Sequence, residues 1–260
     1  MGKSRLYGEN TRPYMATLLS LVAVAVIYLF GQLNLQILAM ISDAIYQAVY
    51  IALIVSAITL NNKYGWSFRE KIPRIWLLAS FSIFSAYIAD STWDIYYYVL
   101  RVPLPYPSAA DIFYLLSLIL GVQALTCYII VFRYSLSWKA LLLSGVAILA
   151  SGILITQFMI YPILLQPLGD AEKLLGITYI AIDFTIFSLS IVGLAIFFSG
   201  KIGRAWFFLA LSMFLIMVGE FLFLYLLSVG EIAEASIDDL PAVSGLILLV
   251  LAFNLYRRQA

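Results

Sequence analysis

Histidine is absent from this chain of 260 residues, and cysteine occurs once, at Cys127. A disulfide within the chain is therefore impossible, and a zinc site built from histidine and cysteine ligands is excluded, although the identity of any other cofactor stays open. Catalytic pairs that join a serine or cysteine nucleophile to a histidine are excluded for the same reason. Cys127 itself is expected to be a small packing residue in an apolar helix.

Charged residues are also scarce, at 11% of the chain, whereas 64% of the residues are hydrophobic and the mean hydropathy is +1.01. This composition lies far outside the range of soluble domains, so it predicts an integral membrane protein surrounded by membrane lipids. A spanning helix needs roughly 20 apolar residues. The chain offers eight such runs, at about 13–33, 36–60, 74–100, 111–132, 139–162, 174–199, 205–229 and 240–256. The predicted fold is all-α, a polytopic membrane protein with eight transmembrane helices.

Lysine and arginine assign the two sides of the membrane, because positive residues resist translocation. With the N-terminus inside, the inner segments carry 13 basic and 2 acidic residues, and the outer segments carry 2 basic and 12 acidic residues. The sequence therefore predicts a plasma-membrane protein with both termini in the cytoplasm and an acidic outer face. Each inner loop holds only a few basic residues, which orientation already explains, so no nucleic-acid partner is expected.

The second half of the chain repeats the pattern of the first. The matched pairs are Arg74 with Arg204, Trp76 with Trp206 and Asp90 with Glu220 at an offset of 130, Ser108 with Ser236 and Asp111 with Asp239 at 128, and Asp43 with Asp183 at 140. Because each half holds four helices, both halves enter the membrane in the same orientation. We predict one membrane domain, residues 1–260, made of two parallel four-helix repeats at about 13–132 and 139–256.

Three aspartates and five tyrosines interrupt the apolar sequence from Asp90 to Leu116, DSTWDIYYYVLRVPLPYPSAADIFYLL. Ser108 and Asp111 have the S-x-x-D spacing of a capping box, in which two side chains satisfy N–H groups at a helix start. Ser236 and Asp239 repeat this spacing before the last run. Most of the tyrosines fit an aromatic belt at the membrane surface.

Carboxylates within the apolar runs are the main candidates for function. An ionised carboxylate in a bilayer costs several kcal/mol unless it is partnered or hydrated, so such residues mark ligand sites or specify helix packing. The predicted ligand-binding residues are Asp43, Asp90, Trp93, Asp94, Asp111, Tyr114, Asp183 and Glu220. Carboxylates without histidine or cysteine favour protons, hard ions or a cationic small ligand. If a hard metal cation binds, its expected ligands are Asp90, Asp94 and Glu220.

A recurring family pattern runs through DSTWD, PLPYPSAADIFYLL and Gly121 in the next helix. It consists of D-x-x-W at a helix end, then P-x-P-S-x-A-D-x-x-Y-L and a glycine. On these residues the chain resembles the multi-helix membrane sensor segments that precede diguanylate cyclase and histidine kinase domains in bacteria and archaea. The resemblance implies signal transduction. Because no such domain follows Tyr256 in this sequence, it also implies output through a separate cytoplasmic signalling partner, or a stand-alone relative with another role.

Three classes of function therefore stay open. The leading one is a sensor or binding protein with an outward-facing acidic and tyrosine-rich cavity between the repeats. The second is a small secondary transporter, or a carrier coupled to ions or protons, because parallel repeats that meet around buried acids suit alternating access. The third is an intramembrane enzyme acting on a lipid or isoprenoid. The intramembrane prenyltransferases also place aspartates on many helices, yet they need two Asp-rich motifs to hold magnesium, and this chain is more consistent with a protein that is not an enzyme.

Overall fold

The computed structural model describes residues 11–102, 106–166, 169–197, 203–229 and 239–259. These residues contain helices and no strands, and eight of the helices are long and apolar enough to cross a membrane, as predicted. We name them α1 (Arg12–Gly31), α2 (Leu35–Tyr64), α3 (Lys71–Asp94), α4 (Ala109–Phe132), α5 (Trp138–Ile155), α6 (Asp170–Phe197), α7 (Arg204–Val229) and α8 (Asp239–Gln259). A π-helix, Ile95–Leu100, extends α3. A second π-helix, Thr156–Ile160, and a helical turn, Tyr161–Leu165, extend α5.

Local sequence explains where the helices begin and end. The Asn34 side chain accepts a hydrogen bond of 3.2 Å from the Ile37 N–H and so caps α2. That helix ends before Gly65, whose φ of 77° lies in the region that glycine adopts without strain. Helix α6 begins earlier than its apolar run, because Glu172 accepts from the Gly169 N–H at 2.9 Å and acids are favourable in a first turn.

Six of the helices form a ring. Around it, α2 packs against α3, α3 against α4, α4 against α6, α6 against α7, α7 against α8, and α8 against α2. Helix α1 lies outside the ring against α8 and α2, and α5 lies outside it against α6. The two halves of the chain therefore meet at two seams, α4 with α6 and α2 with α8.

One end of the ring, which we call the basic end, contains the N-termini of α3 and α7 and the C-termini of α2, α4 and α8. Its core is aromatic: the Trp76 and Trp206 ring centroids are 4.9 Å apart. Trp76 also packs on Tyr256 at 4.7 Å, and Trp206 stacks on Tyr128 at 5.4 Å. Such pairs contribute about 0.5–1.5 kcal/mol each beyond the area that they bury.

Close backbone packing joins α3 to α4 and α7 to α8. Ser82 donates a hydrogen bond of 2.8 Å to the Ser117 carbonyl. At Gly245, a Cβ atom would lie 2.7 Å from the Ser212 carbonyl oxygen, so only glycine fits there without movement. Small residues of this kind let transmembrane helices approach closely.

Some of the predicted features lie outside the described residues. They include Ser236 of the second capping box, Pro105 of the family pattern, and the N-terminal basic residues Lys3 and Arg5.

Candidate functional site

The opposite end of the ring, which we call the acidic end, holds a set of carboxylates interleaved with hydroxyl groups. All six ring helices contribute to it. We call this set the acid–tyrosine cluster and define it by its carboxylates and their polar neighbours: Asp43, Asp90, Asp94, Asp111, Asp183, Glu220 and Asp239, with Ser42, Tyr46, Gln47, Tyr50, Tyr98, Ser108, Tyr114 and Tyr179.

Asp90 lies between tyrosines of the two neighbouring helices. Tyr114 of α4 donates to its Oδ1, and Tyr50, a buried residue of α2, interacts electrostatically with the carboxylate. These contacts tie α3 to the helices on both sides of it. They are stronger than neutral hydrogen bonds when the carboxylate is ionised.

Asp43 and Asp94 connect α2 to the C-terminal end of α3. Tyr98, which lies on the π-helix after α3, donates its hydroxyl proton to Asp43. The Gln47 side chain donates to Asp94 Oδ2 at 2.6 Å. Trp93 precedes Asp94 in sequence, yet it is 46% exposed, and none of these hydrogen bonds involves it.

Asp111 has both a capping and a bridging role. Its Oδ2 accepts from the Ser108 N–H, and the Ser108 side chain accepts from the Asp111 N–H, so the predicted capping box is confirmed. The Ser108 hydroxyl also lies 3.0 Å from the same Oδ2. The Oδ1 of Asp111 accepts from the Tyr179 hydroxyl of α6 at 2.7 Å, across one seam between the halves. Burial, together with the charges of Asp111 and Glu172, raises the pKa of the nearby Tyr106 to about 12.

Asp239 makes the corresponding contacts across the other seam. Tyr46 of α2 donates to its Oδ1 at 3.2 Å, and Ser42 donates to its Oδ2 at 3.3 Å. Tyr28 of α1 hydrogen-bonds to Ser42 at 2.6 Å. The sequence pattern predicts only a capping role for Asp239. The repeat, which aligns Asp239 with Asp111, is the feature of the sequence that could place it in the site.

Asp183 differs from the other aspartates of the cluster. It lies 13 residues into α6, roughly 20 Å along the helix axis, and is only 3% exposed. Its Oδ1 is fully buried and has no hydrogen-bond partner. The charge of Glu220 on α7 acts on it directly. Glu220 is exposed, and its charge also reaches the hydroxyl groups of Tyr50 and Tyr114.

The structure thus brings together seven of the eight predicted ligand-binding residues and leaves Trp93 outside. Within the described part of the chain, the hydrogen bonds to Asp43, Asp90, Asp94 and Asp111 all come from neutral groups. The described residues include no group of three or more acidic, histidine or cysteine side chains arranged to hold a metal ion. The predicted metal ligands Asp90, Asp94 and Glu220 therefore stay a prediction.

Two grooves lie away from the cluster. One, of about 380 Å³, runs between α3 and α4 near the basic end and is bordered by Arg74, Gln123 and Cys127. The other, of about 370 Å³, is apolar and is bordered by Phe158, Met159 and Tyr225. Neither groove borders the carboxylates, so the predicted outward-facing cavity between the repeats stays a prediction.

Comparison with known proteins gives no relative from which function could be transferred. No protein-family model, curated protein or solved structure matches this chain.

Proposed function

We propose that this chain is a plasma-membrane sensor that binds a cation at the acid–tyrosine cluster and signals to a separate cytoplasmic partner. The observation that carries the proposal is the combination of buried carboxylates with neutral donors. Asp111 and Asp183 are at most 9% exposed, and the hydrogen bonds to Asp111 come from a tyrosine, a serine and a backbone N–H.

Electrostatics supports a cationic ligand. Carboxylates gathered in a medium of low dielectric constant create a negative potential, which attracts positive charge and repels anions. Hydroxyl donors stabilise a carboxylate without cancelling its charge. A bound cation would therefore be the group that neutralises the cluster. The chain has no histidine and the cluster includes no cysteine, which favours a hard cation.

The ring of helices connects the proposed cation site to the basic end, where a cytoplasmic partner would bind. Cluster residues lie on all six ring helices and cross both seams, through Tyr179 with Asp111 and Tyr46 with Asp239. A change of charge here would alter the packing of both halves at once. At the basic end, Lys63 of α2 donates to the Arg257 carbonyl of α8 at 2.7 Å, so the α2–α8 seam continues to the predicted cytoplasmic face.

We also propose that the two halves are parallel repeats related by a two-fold axis. Exchanging the halves maps each packed pair of ring helices onto another packed pair. It also exchanges the Trp76–Tyr256 contact with the Trp206–Tyr128 contact. The bonds of Tyr46 and Tyr179 support an offset of 133 between α2 and α6, in place of the predicted 140.

A transporter is the second candidate, because the packing of the ring helices is consistent with two equivalent halves. Parallel repeats that meet around carboxylates suit alternating access, in which the seams open in turn. A transporter would move the cation across the membrane, whereas a sensor would bind it without flux.

Thermal unfolding of the purified full chain in detergent tests the proposal. Sodium, potassium, magnesium and choline chlorides are compared at constant ionic strength. Binding at 100 times the dissociation constant contributes about 2.7 kcal/mol, which raises Tm by roughly 5–10 °C. Asp170→Asn is the matched control, because it removes an exposed acid that the cluster does not include.

The proposed function fails if no cation raises Tm more in the wild type than in a variant that lacks Asp90 and Asp183. Proteoliposomes loaded with the stabilising cation then separate the two candidates. Binding without flux supports the sensor, and uptake that Asp90→Asn abolishes supports the transporter.

A further inference from the structure

The groove of about 380 Å³ between α3 and α4 lies on the outer surface of the ring, near the basic end. Arg74, Leu78, Gln123 and Thr126 are among the residues that line it. Gln123 is exposed, whereas Trp76, two residues after Arg74, is buried in the aromatic core inside the ring. The described parts of α1 and α5 pack elsewhere, α1 against α8 and α2, and α5 against α6. The groove therefore opens toward the surroundings of the bundle, which in a membrane are lipid.

Two polar side chains of α4 face this groove without a partner in the protein. Gln123 and Thr126 both border it, and within the described part of the chain neither side chain makes a hydrogen bond. Lipid hydrocarbon supplies no hydrogen-bonding groups, so an amide or hydroxyl that faces it loses the partners that water provides. The groove therefore suits an occupant that carries polar atoms at this depth.

Arg74 supplies a fixed positive charge to the same groove. Its Nε donates to the Phe68 carbonyl at 2.5 Å, and its Nη2 lies 3.5 Å from the Arg69 carbonyl. A guanidinium has five N–H donors, so at least three remain for a ligand. Arg133, which follows α4, donates to the Tyr134 hydroxyl. In the described residues, no carboxylate forms an ion pair with Arg74 or Arg133.

The second half of the chain fills the corresponding surface with its own side chains. At the offsets of 130 and 128, Phe208 matches Leu78 and Leu251 matches Gln123. Phe208 packs on Tyr14 of α1 with ring centroids 6.2 Å apart, and Leu251 is 3% exposed. The second half thus has apolar residues beneath a helix where the first half has a polar groove. This difference indicates that the occupant of the groove lies outside the described chain.

The polar groups of the groove lie at two depths. Helices α3 and α4 run in opposite directions, and Ser82 lies beside Gly121. Counting back from this contact along both helices places Gln123 one to two turns deeper than Arg74, roughly 5–10 Å along the helix axis. A phospholipid has the same order of groups, with a phosphate at the surface, glycerol and ester oxygens below it, and hydrocarbon beyond them.

We propose that one anionic phospholipid binds in the groove between α3 and α4. Its phosphate pairs with the Arg74 guanidinium, whose planar fork matches phosphate oxygens. Its glycerol and ester oxygens reach Thr126 and Gln123, and an acyl chain packs against Leu78 and Phe68. The site is separate from the acid–tyrosine cluster and does not depend on the proposed function.

Charge favours an anionic lipid over a zwitterionic one. Segments 65–74 and 132–139, at the basic ends of α3 and α4, contain five basic residues and one acidic residue. Cationic residues at a membrane surface attract anionic lipids, and basic pockets between transmembrane helices hold their headgroups. A choline headgroup would bring an additional positive charge into the same field.

Thermal unfolding of the purified full chain in mixed micelles tests the proposal. Dodecylmaltoside micelles contain increasing mole fractions of dioleoylphosphatidylglycerol or dioleoylphosphatidylcholine, and glycerol 3-phosphate serves as a soluble phosphate. Phosphatidylglycerol should raise Tm by several degrees and then saturate, whereas the other two should have little effect. Native mass spectrometry of the same samples should retain one phosphatidylglycerol molecule per chain.

Two sets of variants locate the site. Arg74→Gln should need about tenfold more phosphatidylglycerol for half of the Tm shift, because the phosphate loses a charged donor. Arg258→Gln is the matched control, because it removes an exposed cation at the end of α8, across the ring, and it should respond as wild type does.

The double variant Gln123→Leu with Cys127→Leu copies Leu251 and Leu255 of the second half and fills the groove. It should lose most of the response to phosphatidylglycerol. Its Tm without added lipid should equal or exceed that of wild type, so a fold defect cannot imitate the expected result.

Three results would overturn the inference. Equal shifts from the two lipids would show that the headgroup is not recognised. Equal losses in Arg74→Gln and Arg258→Gln would show that net charge attracts the lipid without a defined site. A full shift from glycerol 3-phosphate alone would identify a soluble phosphate compound as the ligand and exclude the lipid.

Discussion

The basic end and the acidic end of the ring use different chemistry to hold the same six helices together. At the basic end, Trp76, Trp206, Tyr128 and Tyr256 pack ring against ring, and both tryptophans are nearly inaccessible. At the acidic end, the helices meet through carboxylates and hydroxyl groups. Aromatic contacts do not respond to charge, whereas carboxylate contacts change with every proton or ion that binds. The two ends of the ring therefore differ in how strongly their packing depends on charge.

The largest loss of stability is expected from a substitution in the aromatic core of the basic end. Trp206→Ala should reduce the free energy of unfolding by about 3–5 kcal/mol, because it opens a cavity among four aromatic neighbours. Chemical unfolding in detergent measures the change, and Trp93→Ala is the control at an exposed position. Equal losses in the two variants would contradict the assignment of the core to this end. The shift of Tm with cations should persist in Trp206→Ala.

A smaller loss is expected where α7 and α8 approach each other. Gly245→Ala should cost about 1–3 kcal/mol, because its Cβ would meet the Ser212 carbonyl oxygen at 2.7 Å. Gly145→Ala on α5 is the matched control, since nothing lies within 4 Å of the added atom. The control should instead gain up to about 1 kcal/mol from helix propensity. The packing argument would be wrong if both variants moved in the same direction.

At the acidic end, Tyr114→Phe should cost about 1–3 kcal/mol, because Asp90 loses the hydroxyl group that donates to it. Tyr161→Phe removes an exposed hydroxyl and should have almost no effect. The double variant Tyr50→Phe with Tyr114→Phe removes both of the hydroxyl groups that interact with Asp90. Its Tm should therefore depend more strongly on cations than that of wild type, which melting curves in sodium and N-methylglucamine would check.

The smallest loss of stability is expected at Gln47, on the edge of the acid–tyrosine cluster. Gln47→Leu removes the hydrogen bond to the half-buried Asp94 and should reduce stability by about 0.5–1.5 kcal/mol. Because Asp94 can recover a partner from water, the change should stay below that of Tyr114→Phe. Unfolding curves of the two variants, measured side by side, check this order. A larger loss in Gln47→Leu than in Tyr114→Phe would contradict it.

The number of helices could be predicted from sequence because a membrane-spanning helix must be apolar along its whole length. Hydropathy does not detect a polar first turn. The observed α6 therefore begins at Asp170, before the start of its apolar run. The capping contact between Ser108 and Asp111 was also predictable, since it depends on local spacing.

The composition of the candidate site was predictable, but its connections were not. Hydropathy shows that Asp90 and Asp183 are unusual residues in apolar runs, yet it does not show which helices become neighbours. The bonds from Tyr179 to Asp111 and from Tyr46 to Asp239 join residues 68 and 193 positions apart. The exposure of Trp93 likewise depends on the direction in which the end of α3 faces, which the tertiary packing determines.

The α2–α8 seam has a consequence for biosynthesis. Ser42 and Tyr46 are synthesised almost 200 residues before their partner Asp239. Until α8 is made, these hydroxyl groups lack that partner, and the ring stays open on that side. A nascent chain stopped before residue 239 would therefore have one unsealed edge.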